Sequence, residues 1–139
     1  MPQEDSPAAP TPTWAALLFI GLGAGFLIAV LMTGWTQWQF VQRAAAGVGS
    51  VVKLNAGGSH PQIRFTTRTG EVLEYPQGGM IFGYKAGEAV TVLYDPGNPR
   101  DAVVDNFGAI WSTPGFLLLL GLGFVIGGTS ALRPRSDRK

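Results

Sequence analysis

The sequence predicts a membrane α plus small all-β protein: two transmembrane helices flanking a five-stranded, SH3- or OB-like β-barrel. Three observations carry that expectation. No Asp, Glu, Lys or Arg lies between Asp5 and Arg43, nor between Asp105 and Arg133. Within those stretches, Trp14 to Gly34 and Pro114 to Leu132 are long enough, at about 1.5 Å per helical residue, to cross a hydrocarbon core of about 30 Å. Between them the apolar pattern changes to a period of two, which marks half-buried strands.

The elements follow in order. Residues 1–13, MPQEDSPAAPTPT, are rich in Pro, Ala and Thr and read as a disordered tail. Residues 14–46 read as the first membrane helix with an interfacial extension. A helix is expected there because in lipid it satisfies its own backbone hydrogen bonds. Trp14 opens it, and Trp35 and Trp38 lie at its far end. With Trp111, ahead of the second span, these are the expected membrane-interface residues, since an indole favours the headgroup level. Trp35, Trp38 and Val41 recur at three-residue spacing, so the helix is expected to continue to about Ala45. The leading segment is acidic and its apolar run is long for a signal peptide. Ala44-Ala45-Ala46 is therefore read as part of an uncleaved anchor rather than a cleavage site.

Residues 47–106 read as the barrel domain. Val48 to Leu54 is β-branched and strand-like. Gln62 to Arg68 alternates polar and apolar, which places Ile63, Phe65 and Thr67 on one face. Thr69-Gly70 forms a tight turn, and Glu71 to Tyr75 returns as the hairpin partner. Ala89 to Tyr94 and Ala102 to Asp105 complete five strands. Asn55 to Ser59, Gln77 to Gly79, Ala86 to Glu88 and Asp95 to Pro99 are the turns between them. A barrel suits so short a domain because closure leaves few exposed edges. Residues 107–132 read as the second membrane helix, with Thr113 as its cap and Pro114 at its first position. The tail, residues 133–139, is RPRSDRK. Its Arg133, Arg135, Arg138 and Lys139 favour cytoplasmic tails and an extracytoplasmic β domain by the positive-inside bias.

Composition excludes several functions. The net charge of +1 is too balanced for a nucleic-acid surface. Without Cys there is no disulfide, thiolate metal site or thiol catalysis. Neither span holds an ionisable residue, which argues against ion or proton translocation. His60 stands alone in a loop with no recognisable nucleophile or orienting acid. Glu71 and Glu74 point to opposite faces of a strand, and Asp95, Asn98, Asp101 and Asp105 do not match a calcium-loop spacing. No catalytic, cofactor-binding or metal-binding residue is assigned, and an enzyme is not expected. Within the spans, Gly21 and Gly25, and Gly123 and Gly127, have the small-xxx-small spacing that lets helix backbones approach. They are read as helix-packing residues.

Residues 84–102 are the most distinctive stretch. Tyr84, Gly87, Val90, Val92, Tyr94, Asp95, Pro96, Asn98, Pro99 and Ala102 fit the pattern Y-x-x-G-x-x-V-x-V-x-Y-D-P-x-N-P-x-x-A. That run resembles the bacterial domain of unknown function 3592 family, as does the earlier Pro61-x-Ile63-x-Phe65 with Gly70. The resemblance extends over about residues 44–130. It implies a membrane-anchored β domain in the bacterial inner membrane, with no activity attached. The motif itself looks structural: a turn at Gly87, a core at Val90 and Val92, and two prolines stiffening a connection.

Function is therefore expected to rest on contact. The leading expectation is an accessory or scaffold subunit presenting its β domain to another membrane or envelope protein, or to a second copy of itself. An immunity protein that neutralises a toxin is the alternative, and a membrane-associated hydrolase a weaker one. Met80, Ile81 and Phe82, three large apolar residues after a turn, and Leu93 are the candidate partner-binding residues. Completion of the core and docking on lipid are the competing readings of the Met80–Phe82 run.

Overall fold

The computed structural model of the chain describes residues 12–58, 60–79 and 81–133. Met80, most of the N-terminal tail, and Arg135, Arg138 and Lys139 lie outside the described residues. The order is α1 (Thr13–Arg43), β1 (Ala45–Asn55), a short 3-10 turn (Ala56–Gly58), β2 (His60–Thr66), β3 (Val72–Pro76), β4 (Ala89–Asp95), β5 (Asn98–Val104) and α2 (Phe107–Leu132). The chain forms two compact units. One holds the described residues up to Ala29 and from Leu117 onward; the other spans Val30–Phe116.

The second unit is a nearly closed, barrel-like antiparallel sheet of order β3-β2-β1-β4-β5. β1 is its longest strand and pairs along one stretch with β2 and along another with β4. Its inward positions are Ala45, Gly47, Gly49 and Val51, so two of the four carry no side chain. The space is needed. A Cβ on Gly49 would stand 2.9 Å from the Arg64 carbonyl oxygen and 3.1 Å from Val92, and one on Gly47 2.8 Å from the Thr66 oxygen. The bare backbone lets Phe65 and Tyr94 lie across the strand with ring centroids 5.4 Å apart. Ile63, Val92, Val51 and Val104 complete a buried cluster around them. The hairpin read from Gln62 to Tyr75 is present, with Ile63, Phe65 and Thr67 all buried inward.

Three local expectations are corrected. β1 begins at Ala45, directly after the helix ends at Arg43, because Gly47 and Gly49 are helix breakers that the barrel requires at these positions. β5 begins at Asn98, so only Pro96 and Gly97 form the turn and Asn98-Pro99 open a strand. Thr113 and Pro114 do not start α2 but lie inside it. Its cap is Asn106, whose Oδ1 accepts the Gly108 N–H at 2.8 Å.

In the first unit, the contact between the two helices is not made at Gly21, Gly25, Gly123 or Gly127. A Cβ at Gly21, Gly25, Gly123 or Gly127 would meet open space. The close approach is made instead by Gly23, 2.9 Å by its virtual Cβ from the Gly121 oxygen, and by Gly128, 2.9 Å from the Ala16 oxygen. Gly23 and Gly128 contact the opposite helix because they share a helix face with Leu27 and with Gly121, respectively. Phe124 adds ring contacts to Phe19 and Phe26 at 5.4 and 5.7 Å.

Three outcomes follow. Phe65→Asp should unfold the sheet unit, because an unpaired carboxylate would be buried in its core, whereas Arg64→Ser on the outer face should keep a near-native thermal melt. Gly49→Val should cost about 1–3 kcal/mol in the same measurement. For the helix pair, Gly23→Leu should lower oxidative cross-linking between Phe19→Cys and Phe124→Cys, while Gly21→Leu should leave it unchanged. No natural cysteine competes in that assay.

Candidate partner-binding site

The sheet closes on itself at one point. Gln77, just beyond β3, is buried, and its Oε1 accepts both the Val104 N–H of β5 at 2.7 Å and the Tyr75 hydroxyl at 2.9 Å. Its Nε2 donates to the Gly78 oxygen at 2.7 Å. One amide thus latches the end of β3 to β5. Burial, with the Tyr84 phenol adding to it, pushes the Tyr75 phenol far above its ordinary range, so it remains a donor. From its sequence Gln77 reads only as the start of a Gln-Gly-Gly turn. Its role depends on β5, which lies more than twenty residues away.

Beyond the latch the two edge strands leave a cleft of about 350 Å³, lined by Phe65, Leu73, Glu74, Tyr75, Pro76, Pro99 and Arg100. Its floor is aromatic, with Phe65 and Tyr75 edge to face at 6.0 Å. Glu74 is already taken: Arg64 donates to its Oε2 through Nη2 at 2.9 Å and Nε at 3.1 Å. Arg100 lies where the β4–β5 pairing is irregular, between the Tyr94–Ala102 and Asp95–Asn98 pairs. It has no ion-pair partner among the described residues.

The family-like motif forms the frame around this cleft. Gly87 holds a left-handed φ of 85° and donates its N–H to the Val51 oxygen at 2.7 Å, fixing the loop before β4 on β1. Val92 and Tyr94 are core residues, and Tyr84, Val90 and Ala102 pack against that core. The Tyr94 hydroxyl accepts the Arg68 N–H at 2.8 Å. Asp95 accepts the Gly97 N–H at 2.8 Å and pairs with Arg43 at 3.0 Å. Those bonds, the Gly97 N–H first and Arg43 after it, hold its carboxyl below the ordinary value. Pro96 occupies the turn, Asn98 pairs with Asp95, and Pro99 reaches the cleft.

The predicted contact residues divide. Ile81 is 2% exposed, so its side chain is not available to a partner. This corrects its assignment. The loop around it is drawn in at Gly79, whose virtual Cβ would meet Gly108 and Ala109 at 3.1 Å. Phe82, 68% exposed, points outward. Leu93 is half-buried on the outer face beside Val103. That face carries a cross-strand row the sequence reading missed: Val72, Thr66, Val48 and Thr91 are successive partners on four strands, with Val48 81% exposed. His60 opens β2, Glu71 lies in the turn before β3, and among the described residues no acid or histidine cluster could hold a metal. Trp35 and Trp38 stack at 5.4 Å, and Trp14, Trp35 and Trp38 are exposed, with Trp111 half-buried.

The comparisons with known proteins fit this architecture. The family model for a domain of unknown function, DUF3592, matches residues 48–109. Over 118 residues the chain is 48% identical to a protein of Pseudomonas aeruginosa (strain PAO1) named Immune protein Tsi4, covering 84% of this chain and 81% of the relative. The chain belongs to the DUF3592 family. No solved structure matches it. The family model begins within β1 and ends in the first turn of α2, so it covers the sheet, the Gln77 latch and the cleft.

Gln77→Leu leaves the Val104 N–H and the Tyr75 hydroxyl without their acceptor. The sheet unit should lose about 2–4 kcal/mol in chemical denaturation, and hydrogen exchange at Val104 should rise to the rate of an open strand edge.

Proposed function

We propose that the chain is a membrane-anchored immunity protein that neutralises a toxin by binding it, without chemistry of its own. The observation that carries this reading is the 48% identity to Immune protein Tsi4 across 84% of the chain. It favours immunity over the more general accessory or scaffold role that composition suggests. The sheet unit supports a contact mechanism, since it exposes a cleft with an aromatic floor and an uncommitted cation.

The helices support the anchoring. Both are long and apolar enough to span a bilayer, yet only 11% of the most apolar stretch of each is buried within the protein. A core helix of a soluble domain is mostly buried. Here Leu31, Met32, Leu119 and Ile126 lie exposed and need an apolar cover, which lipid supplies. The basic C-terminal tail supports an orientation with both tails in the cytoplasm and the sheet unit on the outer side of the inner membrane.

One of the genes neighbouring this chain's should arrest growth when expressed in cells, and co-expression of the chain should restore growth. Persistent arrest with the chain inserted in the membrane would sink the immunity reading. For orientation, a reporter fused at Gly58 should be active only outside the cytoplasm and one at Lys139 only inside. The reverse pattern would invert the topology.

A further inference from the structure

We infer that the cleft between β3 and β5 is where the toxin engages, and that it takes an extended, acidic-apolar segment of that protein. The segment would add along the β3 edge, seat an apolar side chain on the Phe65–Tyr75 floor, and bring a carboxylate to Arg100. This inference rests on the immunity reading and names its contact.

The main-chain argument comes from register. Thr67 donates to the Glu71 oxygen at 2.8 Å and Gln77 to the Pro61 oxygen at 2.9 Å. Antiparallel pairs alternate between hydrogen-bonded and non-hydrogen-bonded, so Leu73 and Tyr75 bond to β2 while Val72 and Glu74 turn their N–H and C=O groups away from it. On β5, Asp105 donates to the Thr91 oxygen at 2.8 Å, which turns Val104 and Ala102 away from β4. Val104 confirms the phase, because its N–H is the one that meets Gln77. The latch therefore uses one outward N–H of the seam. Val72, Glu74 and Ala102 still face outward beyond it. An unpaired strand edge is the template on which an added strand forms its ladder.

The side chains narrow the occupant. Pro76 and Pro99, both at the cleft, have no N–H to donate, so the edges cannot simply zip to each other there. The floor accepts an apolar group. Glu74 is neutralised by Arg64, which leaves Arg100 as the cleft's uncommitted charge, and that charge is positive. Arg100 stands in a ladder irregularity, a feature that re-aims side chains at strand edges. An anionic group beside an apolar side chain on an extended backbone satisfies all three features at once.

The test uses the full chain in detergent micelles with the purified product of the neighbouring gene whose expression arrests growth. Wild type should bind it, and amide exchange should slow at Val72, Glu74 and Ala102. Arg100→Glu should weaken binding at least tenfold and remove rescue of growth. Leu73→Trp, which fills the cleft, should do the same. Val48→Asp on the outer face should bind within twofold of wild type. Arg100 is exposed and unpaired, so its reversal should leave the thermal melt unchanged and keep the test independent of folding. If Arg100→Glu and Leu73→Trp bind like wild type, the cleft assignment is overturned while immunity stands. Loss of binding by Val48→Asp alone would move the contact to the outer face. Absence of binding and rescue by wild type would remove both readings.

Discussion

The bare inward face of β1 at Gly47 and Gly49 is the constraint on which the sheet depends. A small barrel has a narrow interior, and two aromatic rings cannot share it with a full set of β1 side chains. Leaving out two of them lets Phe65 from β2 and Tyr94 from β4 meet over the strand they both flank. The curvature that follows brings β3 and β5, the strands farthest apart in sheet order, to within reach of one glutamine. Gln77 then converts an open five-stranded sheet into a nearly closed one. The cleft beside it is what remains of the seam.

This arrangement separates scaffold from contact. The residues of the Tyr84–Ala102 motif fix loops, fill the core or tie turns. Asp95, the most conspicuous acid in it, spends its charge on the Gly97 N–H and on Arg43. Arg100 sits inside the same run at one of the pattern's unspecified positions, and it is the residue of the run that brings an uncommitted charge to the cleft. A pattern of structural positions surrounding an unspecified cationic one suits a common frame whose contacts differ from one partner to the next.

Much of the fold was legible in the sequence. The charge-free stretches marked both helices, and the alternation from Gln62 to Arg68 gave the face of Ile63 and Phe65 without help from the rest of the chain. What failed had tertiary causes. Gly21 and Gly25 have the small-xxx-small spacing, yet the approach is made at Gly23, which has large Leu27 four residues on, because only the partner helix decides which stripe is used. Pro114 suits a first helical turn, yet Asn106 caps the helix earlier and the proline is carried inside. Ile81 follows a turn, where the sequence leaves core and contact readings both open. The packing of Gly79 against the first turn of α2 pulls that loop inward.

The candidate site was the least legible part, and for a definite reason. Its members come from a turn residue, two edge strands and a pairing irregularity, none of which has a local signature. Gln77 is recognisable only once the Val104 N–H is known to face it. Arg100 is recognisable only once Glu74 is known to be taken by Arg64. Chemistry-bearing motifs announce themselves because a reaction needs particular side chains at particular spacing. A binding seam needs only an exposed backbone edge, an apolar floor and one uncommitted charge, and a sheet brings these together from positions that look ordinary in the chain. A seam assembled in this way therefore leaves no local trace in the sequence, and only the closed sheet brings its parts into view.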